Sequence, residues 1–234
     1  MLQSLTGALE RFNDKLLVGG PVVVLLALMS IVAITIIVAK LMQFRAAEIS
    51  DYRTGRGALS VYRMGNTSAA LAMTRRSRSP VARVAGHALE LKHHRHLPEH
   101  LMREEIMQYG ADILERLRSH LRVLEVIASL APLLGLFGTV LGMIEAFRAL
   151  EAAGNQVNPA LLSGGIWQAL LTTAVGLGVA MPVMVALNWL ERLVDRQAQE
   201  MDSIVTRILI IDPARADTVD TDTDDAFVAR SPFI

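Results

Sequence analysis

Residues 130–142 read Leu130-Ala131-Pro132-Leu133-Leu134-Gly135-Leu136-Phe137-Gly138-Thr139-Val140-Leu141-Gly142. The run is apolar enough to enter a membrane, yet it holds one proline, three glycines and a single hydroxyl. In water, a glycine inside a helix costs about 1 kcal/mol relative to alanine. Small residues gain value where two membrane helices must bring their backbones close together. The stretch therefore predicts a membrane helix with another helix as neighbour.

Three uncharged segments of spanning length frame it. They are 16–39, the 19 residues of 126–144, and 155–190, whose apolar part begins near Ala160. A spanning helix needs about 20 residues at a rise of about 1.5 Å each. The first run is longer than the roughly 7–15-residue core of a signal peptide, and no small-x-small site follows it. At 52% hydrophobic the chain exceeds the ~45–50% of a soluble domain. It has no cysteine, which excludes disulfides, thiolate metal sites and a thiol nucleophile. Charges balance at 23 basic and 23 acidic, and aromatics are only 5%, so nothing points to nucleic acid.

Charge distribution gives the orientation. Between Gln43 and Arg122 there are 14 Lys/Arg against 8 Asp/Glu. The loop between the second and third runs carries only Arg148 against Glu145 and Glu151, and Arg192, Arg196 and Arg207 follow the third. Basic segments stay cytoplasmic. This predicts an outer amphipathic segment at 1–18, spans at 19–42, 123–148 and 161–190, and a cytoplasmic helical domain at 43–122. An outer loop at 149–160, a cytoplasmic helix at 191–211 and a disordered acidic tail at 212–234 complete the chain.

The fold class is thus all-α, with three membrane spans and long helical cytoplasmic extensions. Ser79-Pro80 reads as an N-cap followed by proline at the first helical position. Gly55-Arg56-Gly57 reads as a turn. Met102, Ile106, Tyr109, Ile113, Leu117, Leu121 and Leu124 recur at three- or four-residue spacing, which predicts one unbroken helix from about Pro98 into the second span. Leu190, Val194, Met201, Val205 and Ile208 form an apolar stripe that extends the third span. His93, His94, His96 and His100, with Lys92 and Arg95, read as a basic surface facing anionic headgroups rather than as a metal site.

The first span is bulky: 12 of the 19 residues 21–39 are Val, Ile or Leu. Only Ser30 and Thr35 invite helix contact, so it is expected against lipid. In the second span Gly135, Gly138, Gly142 and Ala146 line up, with Thr139 beside them. In the third, Gly164, Gln168, Thr172, Gly176 and Ala180 stand four apart, with Thr173 adjacent. Such spacing puts small and polar residues along one face. A lone membrane threonine commonly bonds its own i−4 carbonyl. Alternatively, Thr139, Thr172 and Thr173 lie on a proton path with Gln168 and, at the outer helix end, Glu145. For Gln168 an inter-helix hydrogen bond is the plainer reading.

The runs LAPLLGLFGTVLGMIEAF (130–147) and GGIWQALLTTAVGLGVAMPVMVALN (164–188) resemble the ExbB/TolQ/MotA proton-channel family, the ExbB/TolQ branch in particular. PLLGLFGTV and ALLTTAVGL in successive spans carry the likeness, and three spans rather than four disfavour the MotA branch. The resemblance implies a homo-oligomer, a pentamer, in a bacterial inner membrane, with its second and third spans around a pore. It implies a single-span ExbD/TolR-like subunit that supplies the titrating aspartate, and a TonB/TolA-like protein energised by the proton gradient. Nutrient uptake or envelope integrity would be the output. Thr139 in GTV and Thr173 in TTA match the family's polar positions. At Gln168 relatives commonly carry glutamate, and glutamine cannot titrate. Glycine-lined walls would smooth the motion of the inserted helix. A non-conducting scaffold is the alternative function, and the lack of an inverted repeat disfavours a solute transporter. Neither a cofactor nor a metal is expected. With no nucleotide loop or nucleophile constellation, no enzyme is expected either.

Overall fold

The computed structural model of the chain describes residues 20–49, 51, 53–94, 98–152 and 159–211. The expected outer segment at 1–18, most of the loop at 149–160 and the acidic tail lie outside these residues. All regular structure among the described residues is helical: α1 (Gly20–Ala46), α2 (Arg53–Arg63), α3 (Thr67–Arg76), α4 (Pro80–His94), α5 (Glu99–Arg118), α6 (Leu121–Ala152) and α7 (Pro159–Ile210). α1, α6 and α7 are each long and apolar enough to cross a membrane. The chain divides into two compact units, one from Met1–Ala39 with His120–Leu190, the other from Lys40–Ser119 with Glu191–Ile234.

In the first unit α6 buries Ala128, Ala131, Gly135, Gly138 and Ala146, the small residues of its stripe. α1 joins through Val22 and Leu26, which cluster with Ala131 and Ala180 against Met29, Leu134 and Val179. The Thr35 hydroxyl donates to its own helix at Ile31 O, 2.8 Å away. Val23 and Ala33 are buried as well, while Leu28, Ile31 and Ile34 are exposed, as expected of a surface that lipid covers.

In the second unit α2, α4 and α5 contact the last turns of α7, and α3 packs on α2 and α4. Leu190 closes the first unit; beyond it Val194, Met201, Val205 and Ile208 are buried as the stripe predicts, with Ile204. Gln197 lies fully buried in that stripe and donates to Ile49 O at 2.6 Å. Gly55-Arg56-Gly57 is helix, not turn. A Cβ on Gly55 would stand 2.9 Å from Val81 Cγ1 and 3.1 Å from Ile204 Cδ1, so close packing explains the glycine. α4 starts at Pro80 as expected, but the buried Ser79 hydroxyl donates to Asp51 O at 2.9 Å instead of capping.

The predicted unbroken helix from Pro98 is interrupted. α5 ends at Arg118, Ser119 is extended (φ −49°, ψ 142°) and His120 adopts φ +65° before α6 begins. The cause lies far away in sequence. The buried Lys40 ammonium donates to Leu117 O (3.1 Å), Ser119 Oγ (3.2 Å) and Gln43 Oε1 (2.9 Å). A cation on the last carbonyls satisfies acceptors that a helix end leaves open and complements its dipole. Lys92 acts alike at the end of α7: its ammonium donates to the carbonyls of Ile208, Leu209 and Ile211. It therefore faces a helix terminus, not headgroups; Arg95 and His96 lie outside the described residues.

Candidate functional site

The glycines of α6 meet α7 at backbone distance. A Cβ on Gly135 would lie 3.1 Å from both Thr172 O and Thr173 Cα, and one on Gly142 would lie 3.1 Å from Ala169 Cβ. On Gly138 it would collide with Thr172 Oγ1 at 2.7 Å, and on Gly176 with Ala131 O at 2.6 Å. Ala146 occupies the space over Gly165. The contact line on α7 is therefore Gly165, Ala169, Thr172, Gly176 and Ala180. Around Gly164 nothing stands within 4 Å. A strict four-residue step advances about 400° per step and drifts about 40°, so Gly164 has turned about 160° away from Ala180. These glycines face the partner helix, so they do not form an open wall for a third helix to slide on.

The hydroxyls divide into two kinds. Thr139, half-buried, donates to Leu136 O at 2.6 Å within its own helix. Thr172, fully buried, donates to Ala169 O at 2.7 Å and lies 3.2 Å from Gly135 O. Thr173, half-buried, has its Oγ1 3.1 Å from Gly135 O across the seam. Each hydroxyl proton is thus spent on a carbonyl, which leaves the oxygen lone pairs as acceptors. The Gln168 amide is half-buried, 3.9 Å from the space beside Gly20 on α1, and has no hydrogen-bond partner among the described residues. Glu145 is exposed on α6 and without an ion-pair partner among the described residues. The seam therefore brings Thr172 and Thr173 together with the α6 glycines, and leaves Thr139, Gln168 and Glu145 apart from it. No set of three His, Asp or Glu among the described residues is placed to hold a metal.

Residues 76–203, more than half of the chain, match the sequence model of the MotA/TolQ/ExbB proton channel family. The chain belongs to that family. A biopolymer transport protein ExbB of Neisseria meningitidis is 32% identical over 208 residues, covering 82% of this chain and 90% of that protein. The Vibrio cholerae biopolymer transport protein exbB1 is 39% identical over 84 residues, 36% of this chain and 37% of that relative. The Tol-Pal system protein TolQ of Haemophilus influenzae is 36% identical over 98 residues, 42% of each. These names support the ExbB/TolQ branch, and none of them names a catalysed reaction. Sequence reading had missed Gly165 and Ala169, whose seven-residue span to Thr172 was the available signal, and Lys40, which no local pattern marks.

Proposed function

We propose that this chain is the channel and stator subunit of an inner-membrane complex that couples proton entry to work on an envelope-spanning protein. Family membership over residues 76–203 carries the reading. The subunit assembles as a homopentamer, its α6–α7 pairs surrounding a single-span ExbD/TolR-like helix, and energises a TonB/TolA-like protein for outer-membrane transport or envelope integrity. The N-terminus is periplasmic and the basic segment 43–122 and the C-terminus are cytoplasmic, in keeping with the excess of arginine in that segment. Trp167 and Trp189, both exposed on α7, support the depth of the third span. They are about 33 Å apart along the helix, close to the ~30 Å hydrocarbon thickness, and indoles favour its two interfaces.

The threonine geometry supplies a chemical rationale. A protonated partner carboxyl donates to Thr139 or Thr173 Oγ1 without disturbing the bonds those hydroxyls already make. An ionised carboxylate has to draw the hydroxyl away from Leu136 O or Gly135 O to be solvated. Protonation state thereby selects between two hydrogen-bond patterns. Each 100 mV of potential contributes about 2.3 kcal/mol per charge moved, enough to drive such an exchange. In proteoliposomes with a single-span partner, Thr139→Val with Thr173→Val is expected to preserve assembly and cut proton flux about tenfold, the loss of one hydrogen bond to a charged group. Flux equal to that of the parent would refute the hydroxyl role.

A non-conducting scaffold is the second reading. Gln168 favours it, since no side chain in 126–144 or 155–190 titrates. Flux that is absent with every single-span partner, while the complex still assembles, would establish it.

A further inference from the structure

Within the second unit, α3, α4 and α5 line an open cavity of about 260 Å³ that the seam chemistry leaves unused. Its floor is the contact between Gly86 and the buried Thr74. A Cβ on Gly86 would stand 2.7 Å from Thr74 Oγ1, so only glycine lets the two helices close there. One wall is the stacked pair His87 and Tyr109, with ring centroids 4.5 Å apart. The Tyr109 oxygen accepts from Arg83 Nη2 at 3.2 Å, which holds the guanidinium at the cavity. On another side Arg75 is fixed by Glu90 at 2.8 Å. Ser77 Oγ accepts the Ser79 N–H at 3.1 Å, so its own proton remains to be donated.

The cavity is lined by Arg75, Arg83 and His87 against one acid, Glu90. From Tyr52 to Leu89 the chain holds seven arginines, no lysine and no acid. Glu90 is engaged by Arg75, and Glu105 lies 3.8 Å from His87. Arg83 has no carboxylate partner among the described residues. An oriented guanidinium offers several N–H donors in one plane, which suits a tetrahedral oxyanion better than a solvated ammonium does.

We propose that this cavity binds a phosphate group, with Arg83 as its principal ligand and Arg75 and the Ser77 hydroxyl as supports. The group is carried either by a soluble phosphate or by an anionic lipid headgroup. The site does not depend on proton conduction.

The test uses the full-length chain in a zwitterionic detergent, titrated with inorganic phosphate by calorimetry at low ionic strength. In a parallel arm the chain sits in nanodiscs of phosphatidylcholine with or without phosphatidylglycerol, and amide exchange is followed over 74–90. One saturable phosphate site per chain assigns a soluble ligand. Slowed exchange that requires phosphatidylglycerol assigns a headgroup. In either arm Arg83→Gln is expected to weaken the effect about tenfold while Arg63→Gln, on α2 outside the cavity, changes it less than about twofold. Both side chains are exposed, so neither variant endangers the fold. Absence of both effects overturns the proposal. So does equal loss in the two variants, which would mean diffuse attraction to a basic surface.

Discussion

α1 and α6 are both apolar enough to span a membrane, and they associate in opposite ways. α1 presents bulky Val, Ile and Leu on nearly every side and, within its unit, buries only Val22, Val23, Leu26 and Ala33. α6 gives up side-chain volume along one face, and its Gly135, Gly138 and Gly142 meet α7 at distances that leave no room for a methyl group without displacement. In lipid, bulk alone does not bring helices together, because acyl chains solvate leucine as well as another helix does. Close backbone approach and hydrogen bonds across the contact then decide which faces pair. The helix with poorer intrinsic propensity is thus the one held most specifically.

The largest test of this contrast is Gly176→Val, whose branched side chain would run into Ala131 O. A cost of about 3 kcal/mol is expected from overpacking against immovable backbone, read as a shift in unfolding in mixed micelles of dodecyl sulfate. Next comes Lys40→Met at the polar end of α1. It removes the charged donor from Leu117 O and Ser119 Oγ, with an expected loss of about 2 kcal/mol. Faster amide exchange in the last turn of α5, with α3 and α4 unchanged, is the measurement.

Asp51 provides a smaller effect with a pH signature. Its carboxylate accepts from Arg53 N and Thr54 N at 3.1 and 3.3 Å, and from the Thr54 hydroxyl. The Thr54 hydroxyl, first among the causes, holds the acid below its usual 3.8; burial, second, opposes it, and the backbone groups and the Arg53 charge add to the lowering. The folded pKa is depressed, so the contribution is complete above pH 3.8 and is lost as pH falls through the folded value. Asp51→Ala should cost about 1 kcal/mol near neutrality, and the gap to the parent should close in acid denaturation curves below about pH 4. Smallest of all, Leu28→Ala on the exposed side of α1 should change stability by less than about 0.5 kcal/mol. A large loss there would mean that α1 is packed over a wider face than its buried Val22, Val23, Leu26 and Ala33.

Much of this was legible in the residues, and the failures have identifiable causes. Apolar run lengths gave the three spanning helices, and the small residues of α6 gave the face that packs. On α7 a four-residue repeat drifts around a 3.6-residue helix, so Gly164 leaves the face that packs on α6. The break at His120 is silent in the pattern, since Leu117, Leu121 and Leu124 keep helical spacing straight through it. Lys40, remote in sequence, caps that end. Gly55 looked like a turn residue because its reason for being glycine lies on Val81 and Ile204. In the seam, residue types pointed to hydroxyls and glycines, but only three-dimensional placement separates Thr173, which bonds across, from Thr139, which bonds within.

One backbone oxygen, that of Gly135, lies within reach of the hydroxyls of both Thr172 and Thr173. It acts as a registration pin. Axial slip of one helix past the other by a single turn, about 5.4 Å, would strip Thr173 of its carbonyl, leave Thr172 only its bond to Ala169 O and drive Gly176 off Ala131. The two helices therefore travel as one piece in any working cycle. Any relative movement of the spans in the proposed cycle must be taken up on other surfaces.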